Sequence, residues 1–178
     1  EERSRAVPHA FGGVEWVTIF FVVGLFVMVH GLESAGALDL LAGEVVGFRE
    51  GAANSGEVTT RLSIAVLWVS AIASAIVDNI PFVATMIPTL KTAFVQLSDQ
   101  GSNLDLDQQH AIWWSLSLGA CLGGNGSLIG ASANLIVAGF AERAGSPIRF
   151  ITFLKHAFPL MLFSVGIATV YIYLRYLA

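Results

Sequence analysis

Apolar runs alternate with short polar segments along the chain, and their spacing sets out its elements. Residues 14–31, VEWVTIFFVVGLFVMVHG, are almost wholly apolar. About 20 residues of helix rise ~30 Å, the thickness of a bilayer's hydrocarbon core, so this run predicts a first membrane span. Trp16 stands at its start, where an amphipathic ring suits the headgroup level, and His30 and Glu33 lie at its end as interfacial groups. Residues 32–47 interleave Leu38, Leu40, Leu41, Val45 and Val46 with Glu33, Asp39 and Glu44, the pattern of a helix lying along the interface. Residues 47–61, GFREGAANSGEVTTR, read as a solvated loop, and residues 1–13 as a polar loop ahead of the first span.

Two later regions depart from simple spans. Residues 62–97 run LSIAVLWVSAIASAIV, DNIP, FVATMIPTLKTAFVQL, two apolar arms of 16 residues around a polar link. One continuous helix of 36 residues would be ~54 Å long, well beyond the hydrocarbon core. Two separate crossings of 16 residues are short, and their link would have to reach water. A re-entrant hairpin whose tip stays in the membrane is the third option. The second region is residues 119–134, GACLGGNGSLIGASAN, too rich in glycine and small polar groups for a uniform lipid-facing helix. Loose backbone at membrane depth is tolerated only where protein or a water-filled cavity covers it. Residues 111–141 therefore predict one crossing made of two half-helices, and residues 158–177 a last span.

Loop charges favour the re-entrant hairpin. With it, Arg3, Arg5, Arg143, Arg149 and Lys155 share one side, against Arg49, Arg61 and Arg175 on the other, with Lys91 inside a hairpin arm. A single crossing of 62–97 would put the loop at 98–109, which has no Lys or Arg, on the cytoplasmic side instead. The expected topology places the N-terminus inside and the C-terminus outside.

Composition agrees with this pattern. Hydrophobic residues make up 55% of the 178 and charged ones only 12%, with a mean hydropathy of +0.72. Soluble domains carry about 25% charged residues, so the fold class is an all-α polytopic membrane protein. A net charge of −4 gives no reason to expect nucleic acid as a partner. The single cysteine, Cys121, excludes an internal disulfide and a Cys-based zinc site, and its apolar context reads as a small buried residue. Enzyme motifs are lacking. GGNGSLIG has no Gly-Lys-Ser/Thr of a phosphate loop and no G-x-S-x-G elbow, and His9, His30, His110 and His156 have no metal-ligand spacing.

The chemistry is expected at the two breaks. Asp78 is the only formal charge between Leu62 and Leu90, and an ionisable residue inside a membrane is a functional hypothesis by default. It can be stabilised by a cation, a proton or backbone N–H groups. Pro81 suits the first turn of the following arm, where its missing N–H costs nothing. Helix N-termini at Asp78 and Asn79, and near Ala131, would attract anionic groups, while unwound carbonyls coordinate cations. Asn125, Ser127, Ser132 and Asn134 add neutral donors and acceptors. Against this stands a plain alternative: a polar turn in water, with glycines that only let helices approach.

SAIVDNIPFVATMIPTL (residues 74–90) and LGACLGGNGSLIGASANLIVAGFAE (residues 118–142) resemble the second-half signatures of the ion transporter superfamily. The branch they resemble is that of the ArsB/NhaD-type permeases, relatives of citrate and dicarboxylate carriers. Residues 14–33 are similar to the span that precedes the hairpin, so the resemblance extends over essentially the whole chain. It implies the second of two inverted repeats, each with a re-entrant hairpin and a broken transmembrane helix, and elevator-type transport of a substrate held between tips and breaks. The first repeat, with its own Asp-Asn tip, has no counterpart here and becomes an expected partner. By motif, Asp78, Asn79 and Pro81 correspond to the hairpin tip, and Gly124, Asn125, Gly126, Ser127, Ser132 and Asn134 to the unwound helix. The resemblance further implies a homodimer in membrane lipid, in the plasma (inner) membrane. The expected function is secondary transport of a small ion or metalloid, such as arsenite, antimonite or sodium, coupled to H+ or Na+, with no cofactor. The alternatives are an organic-anion carrier, although the Gly-rich break departs from the Ser-Asn-Thr signature of dicarboxylate carriers, or a non-transporting scaffold half.

Overall fold

The computed structural model describes residues 16–177, and seven α-helices run through them: α1 Trp16–Ser34, α2 Ala37–Gly47, α3 Ser55–Ile76, α4 Asn79–Asp99, α5 Leu106–Gly123, α6 Ser132–Arg143 and α7 Phe150–Ile172. A 3-10 turn, Gly124–Gly126, follows α5, and a π-helical turn, Tyr173–Leu177, extends α7. The loop expected over 1–13, Val14 and the side chain of Trp16 lie outside the described residues.

The helix ends are set by polar residues that hydropathy alone reads as loop. At the start of α3, the Asn54 side chain accepts from the Glu57 N–H (2.9 Å) and the Glu57 carboxylate from the Ala53 N–H (2.9 Å). Arg61 then pairs with Glu57 at 2.6 Å, one turn along. This cap starts α3 at Ser55, inside the segment expected to be loop. The Asp105–Gln108 capping box likewise starts α5 at Leu106, earlier than the expected Ala111. α4 ends at Asp99 and is closed off by Gly101 (φ 81°), after which the Ser102 N–H reaches back to the Leu97 carbonyl (2.8 Å).

The arms flanking Asp78 are consequently 22 and 21 residues long, not 16. Each rises a little over ~30 Å, enough to cross a hydrocarbon core. Length therefore no longer argues against two crossings, and the re-entrant topology rests on loop charge. Other bounds move as well. α1 runs on to Ser34, so His30 and Glu33 pair at 3.5 Å within the helix. The interfacial helix begins at Ala37, after a turn at Gly36 (φ 72°). α7 begins at Phe150 and carries Pro159 inside it.

α3 is the centre of the packing. Half of its apolar stretch is buried, against 22% for α4 and for α7. Val58, Leu62 and Val66 join Leu90, Ala93 and Leu97 of α4, Ile112 and Leu116 of α5, and Ala42 and Val46 of α2 in one core cluster. The first turns of α3 thus meet the last turns of α4, so the two helices run back antiparallel from the Asp78 link. Leu67, Ala71 and Ala75 continue along α3 into a second cluster with Met161, Val165 and Ala168 of α7. The Trp68 indole N–H donates to Thr169 Oγ1 at 3.1 Å across the same contact.

The outer surface is apolar. On α7 and its π turn, Leu160, Phe163, Ile167, Val170 and Leu174 are all more than half exposed and recur every three or four residues, one continuous helical face. A contiguous greasy face of this kind belongs in lipid. α3, α4 and α7 with its π turn are each long and apolar enough to span a membrane. α6 differs from the others in having no buried residue at all.

Candidate functional site

The last turn of α3 and the Asp78 link sit directly on the break between α5 and α6. Three hydrogen bonds join them in sequence order. Ser74 Oγ donates to the Ala120 carbonyl (2.7 Å), Ser127 Oγ to the Ala75 carbonyl (2.5 Å), and Ser132 Oγ to Asp78 Oδ2 (2.6 Å). The two interruptions, more than 40 residues apart in sequence, form one structural unit.

Glycine makes this approach possible. A Cβ on Gly119 would run into the Leu67 carbonyl, and one on Gly123 into the backbone of Ala71. Gly124 and Gly130 lie against each other, and a Cβ on Gly130 would stand 2.7 Å from the Ser74 carbonyl. Gly126 is packed on Met161 and Ala75. The glycines expected only to unwind the helix therefore also let α5 and the break press against α3.

The site residues separate into two groups by what already occupies them. Ser127 is buried, and its hydroxyl both donates to Ala75 and accepts from the Gly130 N–H (3.1 Å). Asn134 Nδ2 donates to the Gly124 carbonyl (3.1 Å) and the Ser127 carbonyl (2.9 Å), pinning the unwound backbone from inside α6. Ser127, Asn134, Gly124 and Gly126 shape the break. Ser74, which the sequence reading passed over, belongs with them; its only signal was a hydroxyl in an apolar helix.

Asp78, Asn79, Asn125 and Ser132 keep open coordination. Asp78 caps α4, with Oδ1 accepting from the Ile80 N–H at 3.0 Å and Oδ2 from Ser132, the first residue of α6. The carboxylate thus stands at two helix N-termini, those of α4 and α6. Each oxygen has one lone pair left for a ligand. Asn125 is exposed, held only by a long 3.5 Å contact to the Cys121 carbonyl. Asn79 is the one polar side chain in an apolar groove of about 390 Å³ that Phe26 of α1 and Ile80, Val83 and Ile87 of α4 also line. Pro81 is the third residue of α4, in its first turn. Further along, Pro88 inside α4 has no N–H to donate to the Ala84 carbonyl one turn back. Cys121, expected to be buried, is exposed on α5 beside Val83, Ile87 and Trp113.

Ser127→Ala is expected to lower stability by about 1–3 kcal/mol, because it strips a buried carbonyl and a buried N–H of their partner. Asn125→Ala should change it by no more than about 0.5 kcal/mol. Thermal unfolding in one detergent checks both. Unchanged unfolding of Ser127→Ala together with lost substrate binding would mark Ser127 as a ligand instead of a staple.

Comparison with known proteins agrees with this architecture. The citrate transporter family model, CitMHS, matches residues 3–119, which include the Asp78 link and stop where the Gly-rich break begins. An uncharacterized transporter of Mycobacterium tuberculosis (strain ATCC 25618 / H37Rv) is 39% identical over 163 residues, covering 92% of this chain and 35% of that protein. A 46 kDa membrane protein of Mycobacterium leprae is 37% identical over 164 residues, covering 92% of this chain and 35% of its own length. The P protein of Homo sapiens is 37% identical over 164 residues, covering 89% of this chain and 18% of its own length. The chain thus spans about a third of the mycobacterial relatives and under a fifth of the P protein. No solved structure matches. The family match, the all-helical fold and the lipid-suited faces make the chain an integral membrane protein of the citrate transporter family.

Proposed function

We propose that the unit formed by Asp78 and the Gly-rich break is one wall of the ion pathway in a secondary active transporter. The observation that carries this reading is the 2.6 Å bond from Ser132 to Asp78, which brings the only carboxylate of the α3–α4 link onto the unwound segment. Asp78 takes a cation or a proton through its free lone pairs, and Ser132, Asn79 and Asn125 complete the coordination with neutral oxygens. The substrate is a small ion or metalloid, with H+ or Na+ as the coupling ion, and the chain acts as a carrier without enzymatic chemistry. It pairs with a first repeat that supplies the opposite wall, moves as an elevator, and works in the plasma membrane as a homodimer.

An organic-anion carrier is the second reading, favoured by the family's own description as citrate transporters. Asp78 disfavours it, since a carboxylate repels a polyanion. Helix N-termini, or a cation bound at Asp78, would have to offset that repulsion. Flux assays on the complete protein in proteoliposomes discriminate the two. Sodium flux driven by a pH gradient, or arsenite uptake, supports the first reading. Citrate uptake without either supports the second, and no flux of any of the three overturns both.

A further inference from the structure

At the far end of α3 from Asp78, some ~33 Å away along 22 residues of helix, two loops enclose a polar cavity of about 370 Å³. Its walls are fixed by specific bonds. Arg49 Nη1 donates to the Gln100 carbonyl (3.2 Å) and Ser102 Oγ (3.3 Å), tying the loop after α2 to the loop after α4. Arg61 holds the first loop from behind through the Glu50 carbonyl (2.6 Å) and the Gly51 carbonyl (3.3 Å). Gly101, at φ 81°, closes the second.

Hydrogen-bonding capacity in this cavity is lopsided. Arg49 is the only charged residue lining it, both its partners are neutral, and it forms no ion pair among the described residues, so its Nη2 and Nε donors remain to be used. Three side-chain oxygens of the wall already hold one donor each. Asn54 Oδ1 accepts from Glu57, Asn103 Oδ1 from Ser98 (2.7 Å), and Ser102 Oγ from Arg49. Their amide nitrogens, Asn54 Nδ2 and Asn103 Nδ2, are free. The nearest carboxylate on α3, that of Glu57, is bound by Arg61 and the Ala53 N–H. Spare amide and guanidinium donors around the one charged group of the wall, a cation, are the recognition chemistry of an oxyanion.

We propose that this cavity binds a phosphate group, either of an anionic phospholipid headgroup or of free inorganic phosphate. Arg49 is the principal ligand, and Asn54 and Asn103 are the orienting donors. Phe48, half exposed and next to Arg49 in the chain, offers an apolar surface against which an acyl chain can lie. The site is separate from the ion pathway and does not depend on the transport reading.

The test uses the full-length protein purified into phosphatidylcholine nanodiscs. In one arm, phosphatidylglycerol is added, and the lipid retained after washing is counted by mass spectrometry. In the other, inorganic phosphate is added, and thermal unfolding is followed. Preferential retention of phosphatidylglycerol identifies a headgroup site, and a rise in Tm with phosphate alone identifies a free-anion site. In either case Arg49→Gln should weaken the response about tenfold, while Arg49→Lys retains most of it. If wild type shows neither response, or if Arg49→Gln responds as wild type does, the proposal is overturned. A lowered basal Tm in both variants, with no anion response in wild type, reduces Arg49 to a clamp between loops and overturns it equally.

Discussion

Asp78→Asn is expected to lower coupled flux in proteoliposomes by about ten- to a hundredfold, or to remove its pH dependence, while the protein still inserts and folds. The substitution keeps an oxygen for the Ile80 N–H, while its amide nitrogen can only donate to Ser132 Oγ, reversing that bond. The structural cost is that of one cap or one hydrogen bond, about 1 kcal/mol. The functional cost is larger, because the amide can neither take up a proton nor neutralise a cation. Charge-assisted bonds are worth about 1.5–3 kcal/mol, and each 1.4 kcal/mol is about tenfold in binding. Flux measured from pH 5.5 to 8.5, beside a detergent melting curve, separates the two costs. Wild-type flux and an unchanged pH profile in the variant would remove Asp78 from the mechanism.

Gly123→Ala is expected to be the most damaging Gly→Ala change among the described residues. The new Cβ would overlap the Ala71 carbonyl and crowd its Cα and carbonyl carbon, all backbone, so no rotamer change relieves it. α5 must then back away from α3, which opens the second core cluster and lifts Ser127 off Ala75. Overpacking of this kind costs about 1–3 kcal/mol or more. Gly139→Ala on α6 is the control, since nothing lies within 4 Å of its Cβ position. That change should be neutral or gain up to about 1 kcal/mol from helix propensity. Monodispersity and thermal unfolding in detergent measure both. Equal behaviour of the two variants would mean that α5 does not pack on α3 as described.

The fold class was legible because it follows from averages: too many apolar residues, too few charges, and runs of bilayer length. Asp78 and the glycine cluster stood out by type against a greasy background, so the candidate residues could be named. What those residues do to each other was not legible. Ser132 and Asp78 are 54 positions apart, and no local pattern says that their side chains meet. Ser127 and Asn134 look as ligand-like as Asn125 in sequence; only their partners reveal that they brace the backbone. Gly119 and Gly123 needed Leu67 and Ala71 to explain them. The arm lengths were underestimated for a simpler reason. Glu57 and Arg61 read as loop by hydropathy, although paired one turn apart they suit the first turns of a helix.

α6 brings a consequence for how the chain is made. Its 12 residues rise only ~18 Å, too short to be recognised during synthesis as a segment that enters the bilayer unaided. No tertiary core retains it, so its place depends on Ser132 and on the Asn134 clasp at one end. The Ser132 bond needs the Asp78 link, made some 55 residues earlier on the ribosome, to be in position, and the Asn134 clasp holds the break that Ser127 fastens to α3. An ordered biogenesis is the expected consequence: the α3–α4 pair with its Asp78 link is placed first, and α6 closes onto it late.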